Sequence, residues 1–383
     1  MDQQKTSIWK KDLKVLWHDF KEWIKTPEGK KKFIILIILL VVIAILAVAI
    51  YLRYFSKEKT AIKNIEILPA ITKTEKPPEP KKIASGLDGV KYTEDVANRH
   101  ALAIMIENHP EARPQSGLEK AKVIYEAITE GGITRFMALF GPESASKVGP
   151  VRSARTYYVD WDSEYDGFYA HVGGNIDALD LIKELDVKDL DQFKYGTQAY
   201  WREPQAGKAT EHTMYTDTDK LWKIAENNEW DMKSSFDSFE FKDDAPTDQR
   251  PASQSIDINF STPAYNVSWK YDKDNNNYQR SMAGSAHKDA ESGNQLTAKN
   301  IIIQEVTRWE APTRINEAGW AMKTVGSGKA KIINDGKVTE GEWKKEKTSS
   351  RTIFYDSNGN QVKFDAGVFW YEIVPPGTVI TIE

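Results

Sequence analysis

Twenty consecutive residues, Phe33 to Leu52, carry no charge and no strongly polar side chain, and the triplet Lys30, Lys31 and Lys32 stands directly before them. As a helix rising about 1.5 Å per residue, such a run is about 30 Å long, the thickness of a bilayer's hydrocarbon core. Sixteen of the twenty are Ile, Leu, Val or Phe. Each contributes roughly 0.3 to 0.6 kcal/mol on the insertion scale, so the segment is expected to insert by on the order of 5 to 10 kcal/mol. The run is predicted to span a membrane.

The flanks predict an orientation. Residues 1–32 hold nine Lys and no Arg against five acids, whereas residues 53–63 hold four basic residues. The excess of positive charge before the span places the amino terminus in the cytoplasm and the rest of the chain outside it. A cleavable signal peptide is the alternative. Its apolar region would be shorter and would end at a small-x-small site, whereas this run continues through Tyr51, Leu52, Arg53 and Tyr54, so an uncleaved single-pass anchor is the reading.

The chain has no Cys, so an exported body must hold itself together by packing, without disulfides, thiolate metal ligands or a cysteine nucleophile. Its 12 Trp and 16 Tyr supply material for a substantial core. A net charge of −4 without a dense basic block beyond the anchor argues against nucleic acid as a partner.

The organisation follows from patterning. In residues 1–32, Ile8, Trp9, Leu13, Leu16, Trp17, Phe20, Trp23 and Ile24 recur at three- and four-residue steps among lysines, the pattern of a basic amphipathic helix on the inner membrane surface or on a cytoplasmic partner. The span covers 33–55, and 56–84 form a Pro-rich charged spacer. A first domain, 85–243, mixes strands (101–108, 133–140) with helices (175–187, and 217–228 with Asp217 as cap). A second, 255–383, alternates in short strands with hairpin signals at 334–336 (NDG) and 357–359 (SNG). The fold class is α+β.

The sharpest local signal is GPVRSAR, Gly149 to Arg155. Gly-Pro before a polar run reads as a helix start, where free amides with Arg152 and Arg155 on one face would bind an anion. Ion pairing of both arginines with acids such as Asp160 or Asp162 is the alternative. Gly131 and Gly132, between Glu130 and Arg135, read as a tight turn. Glu107, Asn108 and His109 end a buried strand, so Glu107, His109, Glu130 and His171 are the acid/base candidates. The histidines His100, His109, His171, His212 and His287 show no metal-ligand spacing. No metal and no cofactor are predicted, and a zinc site assembled from distant positions is the alternative. Asp160, Asp162, Glu164 and Asp166 alternate like a calcium loop without its glycine and read as a solvated face. Aromatics crowd the arginine segment, Trp161 among them, and suit either sugar stacking or the core. No serine-hydrolase elbow, phosphate-binding Walker loop or dinucleotide fingerprint is present.

ALAIMIENHPEARPQSGL (101–118), IYEAITEGGITRFMALF (124–140), VGPVRSARTYYVDWDSEYDGFYAHVGG (148–174), YQRSMAGSAHKDAESGNQLTAKNIII (278–303) and DGKVTEGEWKK (335–345) resemble the YerB-like family, envelope lipoproteins of Gram-positive bacteria with two domains of unknown function. The resemblance implies a three-layer β-β-α sandwich followed by a smaller β-rich domain. Family members usually carry a lipobox cysteine, and here the apolar helix takes the place of the lipid. The family's motifs coincide with His109, Arg113, Glu130, Arg135, Arg152, Arg155, His171, Arg280, His287 and Asp289.

The functional expectation is a membrane-tethered envelope protein that binds an anionic glycan or phosphorylated cell-wall polymer. The ligand-binding candidates are Arg113, Arg135, Arg152, Arg155, Trp161, Arg280, His287 and Asp289. A hydrolase of a glycosidic or phosphodiester bond and a scaffold for an envelope protein partner are the alternatives.

Overall fold

The computed structural model describes residues 17, 18, 20–55 and 80–383, and the chain divides into two compact units at Glu79/Pro80. In the first, helix α1 (Pro27–Phe55) starts at a proline, whose missing N–H is no loss in a first turn. The Thr26 hydroxyl accepts the Gly29 amide at 3.0 Å and caps it. Its segment Pro27–Val48 has a mean hydropathy of 3.0 and buries none of its length against protein. A helix that is apolar all round is the pattern of one covered by lipid or by other protein. Among the described residues this is the one helix long and apolar enough to cross a membrane. The amphipathic reading at Ile8 to Leu16 and the spacer reading at 56–79 lie outside the described residues.

The second unit begins its main sheet with β1 (Leu102–Glu107), β2 (Val123–Ile128) and β3 (Thr134–Phe140), buried at every position. Both faces of the sheet are covered, so apolar residues fill most positions, with Glu107, Glu126, Thr134 and Arg135 as the buried polar exceptions. Next come α2 (Thr156–Asp162), β4 (Phe168–Ala170), α3 (Ile176–Glu184), β5 (Lys188–Asp189) and α4 (Thr218–Asn227). The Asn175 side chain caps α3, and that of Asp217 caps α4 by accepting the Asp219 and Lys220 amides, as the sequence predicts for α4.

Beyond Pro251 the chain is mainly strand. β6 (Ser255–Asn259), β7 (Asn266–Asp272), β8 (Asn277–Met282), β9 (Ser285–Ala286) and β10 (Thr297–Ala298) come first. β11 (Asn300–Glu305), β12 (Gly326–Asn334), β13 (Lys337–Lys345), β14 (Ile353–Asp356), β15 (Phe369–Val374) and β16 (Ile380–Ile382) complete it. At the predicted hairpin, Asn334 pairs with Lys337 across Asp335 and Gly336, both with positive φ, the conformation a two-residue primed turn requires.

A six-stranded sheet runs β9-β8-β7-β6-β16, with β10 also on β8; a ten-stranded sheet runs β14-β13-β12-β11-β15-β2-β3-β1-β4-β5. Strand β15 lies between β2 and β11 and parallel to both, with Tyr371 opposite Tyr125 and Ile302. Segments 85–243 and 255–383 thus hydrogen-bond within one sheet. Alternation along each strand feeds two cores. Ile104, Ile106, Ile124 and Phe136 pack with Ile256, Trp269 and Tyr278 of the smaller sheet. Met105, Tyr125 and Met137 pack on the other face with Tyr157, Tyr158 and Trp161 of α2 and Ile182 of α3. Tyr125 stacks on Tyr371 at 4.2 Å and on Trp161 at 5.4 Å, contacts worth about 0.5 to 1.5 kcal/mol each beyond burial. The body is a three-layer β-β-α sandwich of α+β class.

Candidate functional site

β4 covers only Leu102 to Ile104 of β1, so the polar backbone of the rest of that edge needs other partners. Residues 150–152 supply them: Glu107 N donates to Pro150 O at 2.8 Å and Arg152 N to Met105 O at 2.9 Å. The expected helix start at Gly149-Pro150 is therefore corrected. The Gly149–Pro150 peptide is cis, the segment is extended, and α2 begins only at Thr156, with Arg155 in β conformation at its cap.

This edge brings most of the predicted charged residues together. Arg152 Nε contacts Glu107 Oε2, while Arg155 donates from Nε and Nη2 to the two carboxylate oxygens of Glu130, each at 2.7 Å. Both arginines are paired, to Glu107 and Glu130 rather than to Asp160 or Asp162. Glu130 is shielded by burial, which raises its pKa, but the Arg155 hydrogen bonds and charge more than offset this and leave it below the usual range. Arg135, opposite Glu107 across β1 and β3, is 5% exposed. It donates from Nη1 to Ser153 O at 2.9 Å, and its Nε has no partner; burial and then the Arg155 charge pull its pKa down. The Tyr157 hydroxyl beside this group is also buried without a partner. Gly131 and Gly132 form the expected turn, both with positive φ.

Past Glu107 the chain turns, and His109 caps a short 3-10 turn, Pro110–Ala112. The His212 ring stacks on that of His109, centroids 4.7 Å apart and planes 5° apart. His212 Nδ1 lies 3.7 Å from Glu107 Oε2, and Nε2 lies 3.7 Å from Glu111 Oε2. Glu111 and His212 are the members of this cluster that sequence reasoning did not single out. The Thr210–His212 turn is brought to His109 by the pairing of Val148 with Thr216 and by the Val151 amide on Met214 O, long-range contacts no local pattern announces.

The other candidates lie elsewhere. His171 is fully buried, holding Gly173 O at 2.8 Å and Asp189 Oδ1 at 3.0 Å as scaffold, and Trp161 is fully buried in the core. Arg113 is taken up by Asn108 and by Ala264 O at 2.7 Å, lying over the Tyr265 ring. Asp289 caps its own loop by accepting the Glu291 amide. Asp162 and Glu164 are buried, not a solvated face. Glu164 pairs with Arg351 and Lys345, each at 3.0 Å, beside a cavity of about 540 Å³. Asp162 faces the same cavity, and burial, then the Asp166 charge, pushes its carboxyl up to about 8.

Between the sheets, Arg280 of β8 is fully buried and ion-paired to Glu126 of β2, with Glu372 of β15 at 3.8 Å. Its Nη1 meets His287 Nδ1 at 2.6 Å, and the opposite ring nitrogen reaches Gln115 Oε1 at 2.8 Å. Gln115 donates to Asn108, and Asn108 and Thr134 donate to Glu126. The Arg280 guanidinium lies over Trp370, 4.3 Å from its centroid. Arg280 Nε and Glu372 Oε2 are left without a partner, but the contacts made all run between the two sheets, so the network acts as a clamp between layers.

Residues 87–231 match the protein of unknown function (DUF3048) N-terminal domain, and residues 256–371 match the DUF3048 C-terminal domain. The chain is 31% identical over 304 residues to the putative lipoprotein YerB of Bacillus subtilis, covering 78% of this chain and 88% of that protein. The chain belongs to the DUF3048 family of YerB-like proteins. A crystal structure of YerB protein from B. subtilis superposes with a TM-score of 0.70 at 28% identity, over 79% of this chain and all of that one. Within the DUF3048 frame, the arginine and histidine clusters lie wholly in the N-terminal domain, while the Arg280 clamp joins N-terminal Glu126 to C-terminal Arg280 and Glu372. The apolar helix and the likeness to a lipoprotein together point to membrane association.

Proposed function

We propose that the protein is a single-pass, membrane-tethered component of the cell envelope, with its body outside the cytoplasm. In this reading it binds an anionic group of a glycan or phosphorylated cell-wall polymer at the edge formed by Glu107, Glu130, Arg135, Arg152 and Arg155. The carrying observation is Arg135: a buried guanidinium with an unpartnered Nε, next to the unpartnered Tyr157 hydroxyl. Buried donors without acceptors cost about 1 to 3 kcal/mol each, and a phosphate or carboxylate oxygen would satisfy both. Arg152 and Arg155 would then exchange part of their contact with Glu107 and Glu130 for the ligand.

Titrating the detergent-purified full chain with polyglycerol phosphate, by calorimetry and thermal shift, tests this. Saturable, salt-sensitive binding weakened at least tenfold by Arg135→Gln is expected. Absence of binding, or binding indifferent to that change, refutes it. A hydrolytic reading is favoured by one contact, Glu107 Oε2 facing His212 Nδ1 at 3.7 Å. Release of product from labelled cell-wall polymer, abolished by Glu107→Gln, would replace the binding reading with that one.

A further inference from the structure

We infer that His109, Glu111 and His212 form a binding site for a zinc-type divalent cation. One ligand atom from each of the three lies within 4.8 Å of the others. A tetrahedral ion bound at about 2.0 to 2.2 Å holds its donors roughly 3.4 Å apart. The 3.7 Å between His212 Nε2 and Glu111 Oε2 closes to that with a small movement of Glu111, whose side chain is exposed and free to make it. The His109 ring lies parallel to that of His212 and must turn out of the stack to aim a ring nitrogen at the same ion, and its 3.3 Å contact from the Glu111 amide is long enough to yield.

The buried His212–Glu107 contact points to a cation rather than to a casual surface cluster. His212 is 6% exposed, and its Nδ1 has no hydrogen-bond partner. Glu107 is 2% exposed, and its Oε2, which touches Arg152 Nε on one side, faces that Nδ1 on the other. When Nε2 binds a metal, Nδ1 carries the proton and a carboxylate accepts it, fixing the ring and raising its basicity. Glu107 stands where that second carboxylate belongs, and Arg152 on its other side holds it in place. Two imidazoles and one carboxylate with an open fourth position make a donor set for zinc, whereas magnesium and calcium take oxygen ligands. The site needs neither the anionic ligand nor Arg135, so its test is separate from that of the preceding reading.

The full chain in detergent, stripped with chelator, is titrated with zinc chloride by calorimetry, with cobalt absorption as a geometric probe. One zinc ion per chain and the visible bands of tetrahedral cobalt are expected. His212→Gln and the exposed Glu111→Gln should each weaken zinc binding by about 100-fold, and Glu107→Gln by about 10- to 100-fold. Near-ultraviolet circular dichroism checks that each variant is folded, and Glu111→Gln alters no buried group. The inference is overturned by absence of saturable zinc binding, by zinc binding that survives both first substitutions, or by preference for magnesium over zinc.

Discussion

Replacing Arg280 with Met tests how the two sheets are clamped. The Arg280 side chain is fully buried between Trp370, Trp269 and Phe136, with ring centroids 4.3, 5.4 and 5.7 Å from the guanidinium. Methionine keeps most of that apolar contact, so the change removes charge more than volume. In the native protein, burial and then the Glu126 charge push the Glu372 carboxyl well above its usual range, while Glu126 pairs with Arg280. Without Arg280, Glu126 is left with Thr134 at 2.6 Å and Asn108 at 3.2 Å but no cation.

Stranding a buried charge in this way costs about 3 to 5 kcal/mol. The carboxyl can escape by taking a proton, which raises its folded pKa above the unfolded value. Between those two values the native state holds more protons than the unfolded one, so the variant loses stability as pH rises, by at most about 1.4 kcal/mol per unit. Urea unfolding of the full chain, followed by tryptophan fluorescence, should show a loss of about 3 to 5 kcal/mol at pH 8. At pH 5 the loss should shrink toward about 1 kcal/mol, the worth of the lost hydrogen bonds. Adding Glu126→Gln should restore most of the pH 8 loss. Equal losses at both pH values, or no recovery in the double variant, would refute the reasoning.

Asp162→Asn removes a carboxyl whose folded pKa of about 8 stands above its ordinary 3.8. The native protein loses stability as pH rises through that window, so the variant should gain relative to it as pH rises, at up to about 1.4 kcal/mol per unit, whereas parallel pH profiles would contradict this. Gly149→Ala places a Cβ 2.7 Å from Met214 O at a φ of +146°, so a loss above roughly 1 kcal/mol is expected, read as a lower urea midpoint at unchanged slope. Arg155→Lys replaces a two-point grip on Glu130 by a single contact and should cost about 1 kcal/mol by the same assay. Protease added to intact cells should remove residues 80–383 and spare the anchor; protection of that body would reverse the proposed orientation.

What the sequence made legible was what short range decides. The apolar span, the Asp217 cap, the Asp335-Gly336 hairpin and the unbroken strands β1 and β3 each follow from neighbours a few residues apart. GPVRSAR misled because Gly-Pro has two local meanings, and the unmet backbone groups on β1, set by where β4 stops, decide between them. Arg280 and Trp161 looked like ligand contacts because large polar or aromatic side chains suit both sites and cores. Burial, a property of the whole fold, settles which. That Glu111 and His212 meet beside His109 was not legible for the same reason, since it depends on a turn held in place by distant strands.

The position of β15 bears on how such a body assembles. The strand that closes the middle of the large sheet follows all the other strands of that sheet in the chain. Until Phe369–Val374 arrives, β2 and β11 are open edges with nothing to join them, and a chain cut short before that point holds two half-sheets instead of one. Pairing over so long a sequence separation is slow. The large sheet therefore completes itself only when Phe369–Val374 pairs with both of its halves.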